Sequence, residues 1–182
     1  MNHFIFRNIN DSELDQAYNI VCETVEWLQS KNIKQWIGPI PFEIYKKRQI
    51  KKENYGLFHD GILKVVVSIV FESISMWNDK IGSDKNWWIH TLATSNQYRG
   101  KKFGRILIQK AIKYLVAQNI ENFYLDCMYG NGFLPNFYRW LGFQQILSRK
   151  IAIEKGSLPD EFFVQLSNYY NDKIMVLLKW SK

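Results

Sequence analysis

The sequence predicts a mixed α/β (α+β) domain in which a central, mostly antiparallel sheet of six to seven strands is flanked by helices. Three observations carry that expectation. Two apolar runs, 54–59 and 62–73, alternate with period two on either side of Asp60-Gly61, a dipeptide suited to a tight hairpin turn. Further on, a long helical pattern over 100–119 lies between two strand-like runs, and such a strand–helix–strand crossover brings its strands together in parallel. Finally, 182 residues with 47% hydrophobic and 23% charged side chains suffice for one sizeable core, and no repeat, linker or low-complexity tract divides the chain. Residues 1–182 are therefore read as a single domain.

Each element has its own justification. Phe4-Ile5-Phe6-Arg7-Asn8 forms a short strand. Asp11 or Ser12 can N-cap the following helix, whose Leu14, Ala17, Ile20, Val21, Val25 and Leu28 share one face. Residues 33–41 form a loop holding Trp36, and a second helix over 42–50 ends in the basic run Lys46, Lys47, Arg48, Lys51 and Lys52. After the hairpin, the polar stretch 78–86 with Gly82 reads as a loop, and 87–94 as a strand. The helix over 100–119 carries the stripe Phe103, Leu107, Ala111, Tyr114 and Leu115, and a second stripe of Ile108, Ile112 and Val116 predicts cover on more than one side. A strand over 122–129, a short helix over 133–141 and a strand over 143–153 follow. A polar excursion through Pro159 and the aromatic-rich segment 162–170 leads to a closing strand over 174–180.

Composition excludes several classes. Lys and Arg number 24 against 17 Asp and Glu, giving a formal charge of +7 that asks for an anionic partner. Two cysteines, Cys22 and Cys127, make no disulfide framework, so a reduced, cytoplasmic setting is expected. The N-terminal residues show no secretory pattern, and the most apolar stretch, 62–71, is broken by Lys64 and Ser68, so neither secretion nor membrane association is expected. Gly56-x4-Gly61 lacks the Lys and hydroxyl of a phosphate loop, and 79–84 lacks the spacing and closing Glu of a calcium loop. With three histidines and no HExxH or CxxC pattern, no metal is expected. The basic run Lys46–Lys52 reads as a solvated helix end, and nucleic acid is not expected as a partner.

The junction between the 87–94 strand and the long helix carries the chemistry. A strand that ends in Gln97-Tyr98-Arg99-Gly100-Lys101-Lys102-Phe103-Gly104-Arg105 and opens a helix gathers free backbone N–H groups and four cations at one point, which suits an anion. Glycines at 100 and 104 let the backbone approach it closely.

Gln97-Tyr98-Arg99-Gly100-Lys101-Lys102, preceded by a strand with Leu92 and Thr94, resembles the Q/R-x-x-G-x-G/A signature of the GNAT superfamily of acyl-CoA-dependent N-acyltransferases. Asn131, Phe137-Tyr138 and Gly142-Phe143, after the 122–129 strand, are similar to that family's N-x6-Y-x3-G-F segment. Together the matched pieces span roughly 60–150, with one departure: Lys102 stands where the signature takes a second small residue.

The resemblance implies a GNAT-like fold whose parallel strand pair splays apart to hold acetyl-CoA as cosubstrate. Cofactor-binding residues would be Leu92, Thr94, Arg99, Gly100, Lys101, Lys102, Phe103, Gly104, Arg105, Asn131 and Tyr138, with the amides from Arg99 to Arg105 on the pyrophosphate. A backbone N–H near Leu92 would polarise the thioester carbonyl. Tyr138 is the expected acid, a phenol able to protonate a departing thiolate while neutral at working pH. His90 is the candidate base; strict alternation with Trp88, Leu92 and Thr94 puts it on Leu92's side of the strand. Glu72 is the substitute base or the acceptor's charge partner. Cys127 reads as a small core residue.

For the acceptor the candidates are Trp36, Glu72, Trp88 and Tyr129, with Trp27, Trp77 and Trp87 as further possible wall residues. The implied activity is acetylation of a small-molecule primary amine by direct attack in a ternary complex. Within the fold, a protein N-terminus or lysine is the alternative acceptor; outside it, a nucleic-acid-binding module or an inactive CoA-binding regulator. The partners expected are a CoA thioester and a small amine, with the protein a monomer or homodimer.

Overall fold

In the computed structural model, residues 4–36, 38–130, 133–150 and 173–182 are described. They build one seven-stranded sheet in the order β1-β2-β3-β4-β5-β7-β6. The strands are β1 (Phe4–Asn8), β2 (Asn54–His59), β3 (Ile62–Glu72), β4 (Asn86–Thr94), β5 (Asn122–Met128), β6 (Gln144–Lys150) and β7 (Ile174–Ser181). The helices are α1 (Leu14–Ser30), α2 (Phe42–Ile50), α3 (Asn78–Ile81), α4 (Phe103–Ala117) and α5 (Phe133–Trp140). All neighbouring strands are antiparallel except β4 and β5, whose crossover through α4 makes them parallel. The last strand, β7, lies between β5 and β6 and pairs with both.

Both faces of the sheet are covered. On one, Leu107, Ile108, Ala111 and Leu115 of α4 pack on Leu57, Val65, Val67 and Ile69, and Tyr138 of α5 joins the same cluster. On the other, Ala17, Ile20 and Val21 of α1 and Tyr45 of α2 pack on Val66 and Ala93, while Trp77 and Trp88 form a separate cluster with Val70 and Leu177. The two apolar stripes of α4 thus serve a helix pressed on more than one side.

Four expectations change. The first helix is entered through a 3-10 turn, Asp11–Glu13, capped by Asn10 rather than Asp11 or Ser12; the Glu13 carboxylate accepts the Asn10 N–H at 2.8 Å. The stretch read as a loop over 78–86 begins inside short helices, a 3-10 turn Ser75–Trp77 running into α3. Trp77 drives this, since its buried ring anchors the segment, with Ile74, Met76 and Ile81 packed against the same cluster. The long helix starts at Phe103, not Gly100, because Gly100 (φ 78) and Lys102 (φ 64) are both left-handed. Strand β4 departs from strict alternation, as described below. The excursion through Pro159 and the segment 162–170 lie outside the described residues, as do the last residues of the strand read over 143–153.

Candidate active site

Strand β4 pairs with β5 at a single registered position, Trp88 with Tyr124, and beyond it the two strands part. A cavity of about 920 Å³ opens there, bounded by the C-terminal half of β4, the start of α4, α5 and the α1 side of the sheet. The opening is shaped by a bulge. Opposite the single residue Val67 of β3, β4 places both Thr91 and Leu92, and Thr91 takes a left-handed φ of 57°, a rare conformation for a β-branched residue. Arg48 of α2 reaches across to donate to Thr91 Oγ1 at 3.2 Å.

This bulge overturns the alternation expected for β4. His90, like Trp88, faces the α1 side, where the two rings stack at 5.7 Å. Leu92 is carried to the other face and packs with Ile89 in the α4-side core. His90 and Leu92 nevertheless both border the cavity, since it passes through the gap in the sheet.

At one end the cavity meets the anion-type turn. The carbonyl of Lys102 accepts the N–H of Ile106 at 3.2 Å, so the N–H groups of Phe103, Gly104 and Arg105 precede the first intrahelical bond of α4 and have no acceptor within it. The N–H groups of Arg99 and Lys101 are used within the turn, on the carbonyls of Asn96 and Tyr98, and so are not available to a ligand as the sequence suggested. Gly100, Lys102, Phe103, Gly104 and Arg105 line the cavity, as does Thr94 at the end of β4. A Cβ built on Gly104 would stand 3.6 Å from Thr94 Oγ1, so the fold itself tolerates one; what the glycine leaves open is the space between helix start and strand end.

The four cations of this turn have different duties. Arg99 folds back, donating Nη2 to the Thr94 carbonyl (3.0 Å) and Asn96 Oδ1 (2.8 Å) with its guanidinium 4.2 Å over the Trp27 ring, which makes it a strut between the turn and α1. Arg105 lies 3.5 Å over the Trp140 ring at the cavity edge. Lys101 is exposed beside Tyr98 and does not line the cavity, contrary to its assignment from sequence. Lys102 does line it, and its left-handed backbone occupies the position where a small residue was expected.

At the other end, Tyr138 of α5 lines the cavity while only 7% exposed. Burial, with neighbouring Cys127 and Asp126 adding electrostatically, pushes its phenol above the usual range, so it is neutral throughout the physiological span. Cys127 beneath it is a core residue whose thiol burial pushes up to about 12, far from a thiolate nucleophile. His90 Nε2 is buried without a hydrogen-bond partner, 3.5 Å from Glu72 Oε1, an ion-pair distance. His90 chiefly, with Arg48 adding at 3.7 Å, holds the Glu72 carboxyl below its ordinary range against the opposing effect of burial.

Three acceptor-side assignments are corrected. Glu72 stands behind His90 and does not line the cavity. Trp88 is fully buried and donates Nε1 to the Glu72 carbonyl at 3.1 Å, so it is core, not wall. Tyr129 is 56% exposed beyond the end of β5, where its N–H extends the pairing to Ile174. Trp36 and Trp27 do line the cavity. Gln35 fixes the Trp36 loop on the sheet by accepting the Met128 N–H at 3.2 Å. Asn131 lies outside the described residues. Sequence reasoning missed Asp126, which also borders the cavity; as the one charged residue in β5 it stands out in the sequence, but only the parting of the strands shows that it faces a cavity.

Unpaired helix N–H groups and cations on one border of the cavity suit an anion, and the neutral buried phenol of Tyr138 on another border can donate a proton. Among the described residues no cluster of His, Cys, Asp and Glu could hold a metal, and no helix is long and apolar enough to cross a membrane.

A model of the acetyltransferase (GNAT) family matches residues 24–143, and the chain belongs to that family, whose members transfer acetyl groups from acetyl-CoA. Over 138 residues it is 23% identical to the uncharacterized N-acetyltransferase YesJ of Bacillus subtilis (strain 168), across 72% of this chain and 77% of that protein. Its fold is similar to a GNAT-family acetyltransferase from Listeria monocytogenes 4b F2365, with a TM-score of 0.73 at 17% identity over 98% of this chain and 95% of the other. It is also similar to the ribosomal-protein-S18-alanine N-acetyltransferase of Escherichia coli, with a TM-score of 0.66 at 14% identity over 98% and 94% of the two chains. At such identities these structural likenesses speak for the fold alone.

Proposed function

We propose that this protein transfers an acetyl group from acetyl-CoA to the primary amine of a small molecule, by direct attack while both are bound. The observation that carries the reading is the single cavity bordered by His90, Leu92 and Tyr138 at one end and by the unpaired N–H groups of α4 at the other. Acetyl-CoA supplies an acyl group activated as a thioester; everything else falls to the protein.

The N–H groups of Phe103, Gly104 and Arg105, with Lys102 and Arg105 as nearby charges, bind the pyrophosphate at the positive end of α4. The bulge takes Leu92 out of the β3 ladder, so its N–H serves the carbonyl oxygen on which negative charge develops. His90 receives a proton from the acceptor ammonium, freeing the nitrogen lone pair. With Nε2–H toward Glu72, Nδ1 is the nitrogen that accepts it, and Glu72 stabilises the resulting imidazolium. Tyr138 gives its phenolic proton to the departing sulfur. The nitrogen–carbon bond forms as the carbon–sulfur bond breaks, and the second proton lost from nitrogen restores the phenol. The products are an amide and free CoA.

The test is amine-dependent release of free CoA thiol across primary amines, amino acids and short peptides. Tyr138→Phe is expected to lower kcat roughly 10²–10⁴-fold with acetyl-CoA binding retained, the range for loss of one general acid. Unchanged turnover would remove Tyr138 from the acid role, and turnover of peptides alone would replace the small-molecule acceptor by a protein one.

A further inference from the structure

The charges around the cavity are sorted. Arg99, Lys102 and Arg105 border it along the α4 turn, whereas Asp126 on β5 is the one acid bordering it among the described residues. Alternation along β5 turns Leu125 and Cys127 into the α4-side core and Asp126 toward the opposite face, the side of Trp77 and His90. Trp77 Nε1 donates to Asp126 Oδ2 at 3.0 Å, and among the described residues no Lys or Arg comes within salt-bridge reach of the carboxylate. A neutral indole orients a carboxylate without neutralising it. An anion kept in a largely apolar wall without a cation is costly unless a ligand supplies one.

The neighbouring wall describes the rest of that ligand. Ile33, Trp36, Met76 and Met175 border the same cavity, and the Gln35 tie to Met128 holds the Trp36 loop onto the end of β5. Apolar and aromatic surface beside a lone carboxylate suits an ammonium attached to an apolar body. A carboxylate on the acceptor would face Asp126 with like charge. Arg99 cannot offset this readily, since its Nη2 is already given to Thr94 and Asn96.

We infer that Asp126 is the specificity-determining residue that binds the acceptor's ammonium, and that the acceptor class is a primary amine with an apolar or aromatic body and no carboxylate beside the nitrogen. The inference rests on the acetyl-transfer reading above.

The test uses 2-phenylethylamine and phenylalanine, which differ by a single carboxylate, with CoA release as readout. The wild-type protein is expected to use the amine at least about tenfold more efficiently than the amino acid, and Asp126→Asn to raise the KM of the amine roughly tenfold to a hundredfold, as for loss of a charged hydrogen-bond partner. The KM for acetyl-CoA should stay as it was. Asparagine still offers Trp77 an acceptor oxygen, and an unchanged melting temperature confirms that the variant folds; Asp126→Glu should recover part of the affinity. Equal use of the two probes, or an unchanged amine KM in Asp126→Asn, overturns the assignment. So does a loss confined to kcat, which would make Asp126 a proton acceptor. A wild-type protein that binds acetyl-CoA yet acetylates neither probe overturns the acceptor class alone, whereas failure to bind acetyl-CoA overturns the reading beneath it.

Discussion

His90 lies between the flat face of Trp88 and the carboxylate of Glu72, and it is this setting, not the histidine alone, that supports the proposed role of base. Glu72 is tied in turn to Arg48, which also holds the bulged Thr91, so one half-buried guanidinium serves both the charge pair and the strand distortion. Because the folded Glu72 carboxyl titrates below its unfolded value, its stabilising contribution is complete above the ordinary carboxylate range and is lost as pH falls from there through the lowered folded value. Glu72→Gln is therefore expected to melt below the wild type at pH 7, with the two curves converging below about pH 4. A gap that stays constant with pH would show that Glu72 acts through packing alone. His90→Gln should flatten the acidic limb of the pH–rate profile; an unaltered limb would leave proton acceptance to water. Tyr138 and Gly100 could be singled out residue by residue because spaced motifs mark them, and Gly104 because it follows a strand where a helix opens. Asp126 was not, since one acid in a strand reads as an outward-facing residue until the strands are seen to part.

Among the elements, the β4–α4 junction shows where sequence pattern reaches its limit. A strand is read from alternation, and nothing in Trp87–Thr94 announces that Thr91 and Leu92 stand opposite one residue of β3. The bulge becomes visible only once the pairing with β3 is known, and with it the transfer of Leu92 to the other face. The helix start was misplaced for a related reason: Gly100 and Lys102 are left-handed, a property of the turn and not of helix propensity. At this scale Gly104 gives a discriminating test. Its position has room for a methyl group, and alanine is a better helix former, so Gly104→Ala should raise stability by up to about 1 kcal/mol. The same methyl intrudes on the space between α4 and Thr94 and should weaken acetyl-CoA binding. Higher melting temperature with unchanged affinity would show that the pyrophosphate does not lie there.

For the molecule as a whole, the topology explains why one cavity can serve two ligands. Strands β1–β4 form an antiparallel unit, β5–β7 form another, and the single pairing of Trp88 with Tyr124 hinges them at a seam that opens toward α4. Covering both faces leaves that seam as the passage between the α4 side and the α1 side. The mixed sheet and the crossover were legible from the hairpin turn and the two-striped helix. The seam was foreshadowed only by family resemblance, because parting of strands leaves no periodic trace. The net charge of +7 is likewise resolved by placement, with Lys102 and Arg105 at the cavity and Lys101 in solvent. The most direct measurement is a thermal melt with and without acetyl-CoA at a hundredfold excess over its Kd, determined by titration. One molecule bound per chain should raise the melting temperature by roughly 5–10 °C, as expected for a ligand that binds the folded state of a domain this size. Absence of saturable binding and of any shift would contradict the assignment of the β4–β5 seam as an acetyl-CoA site.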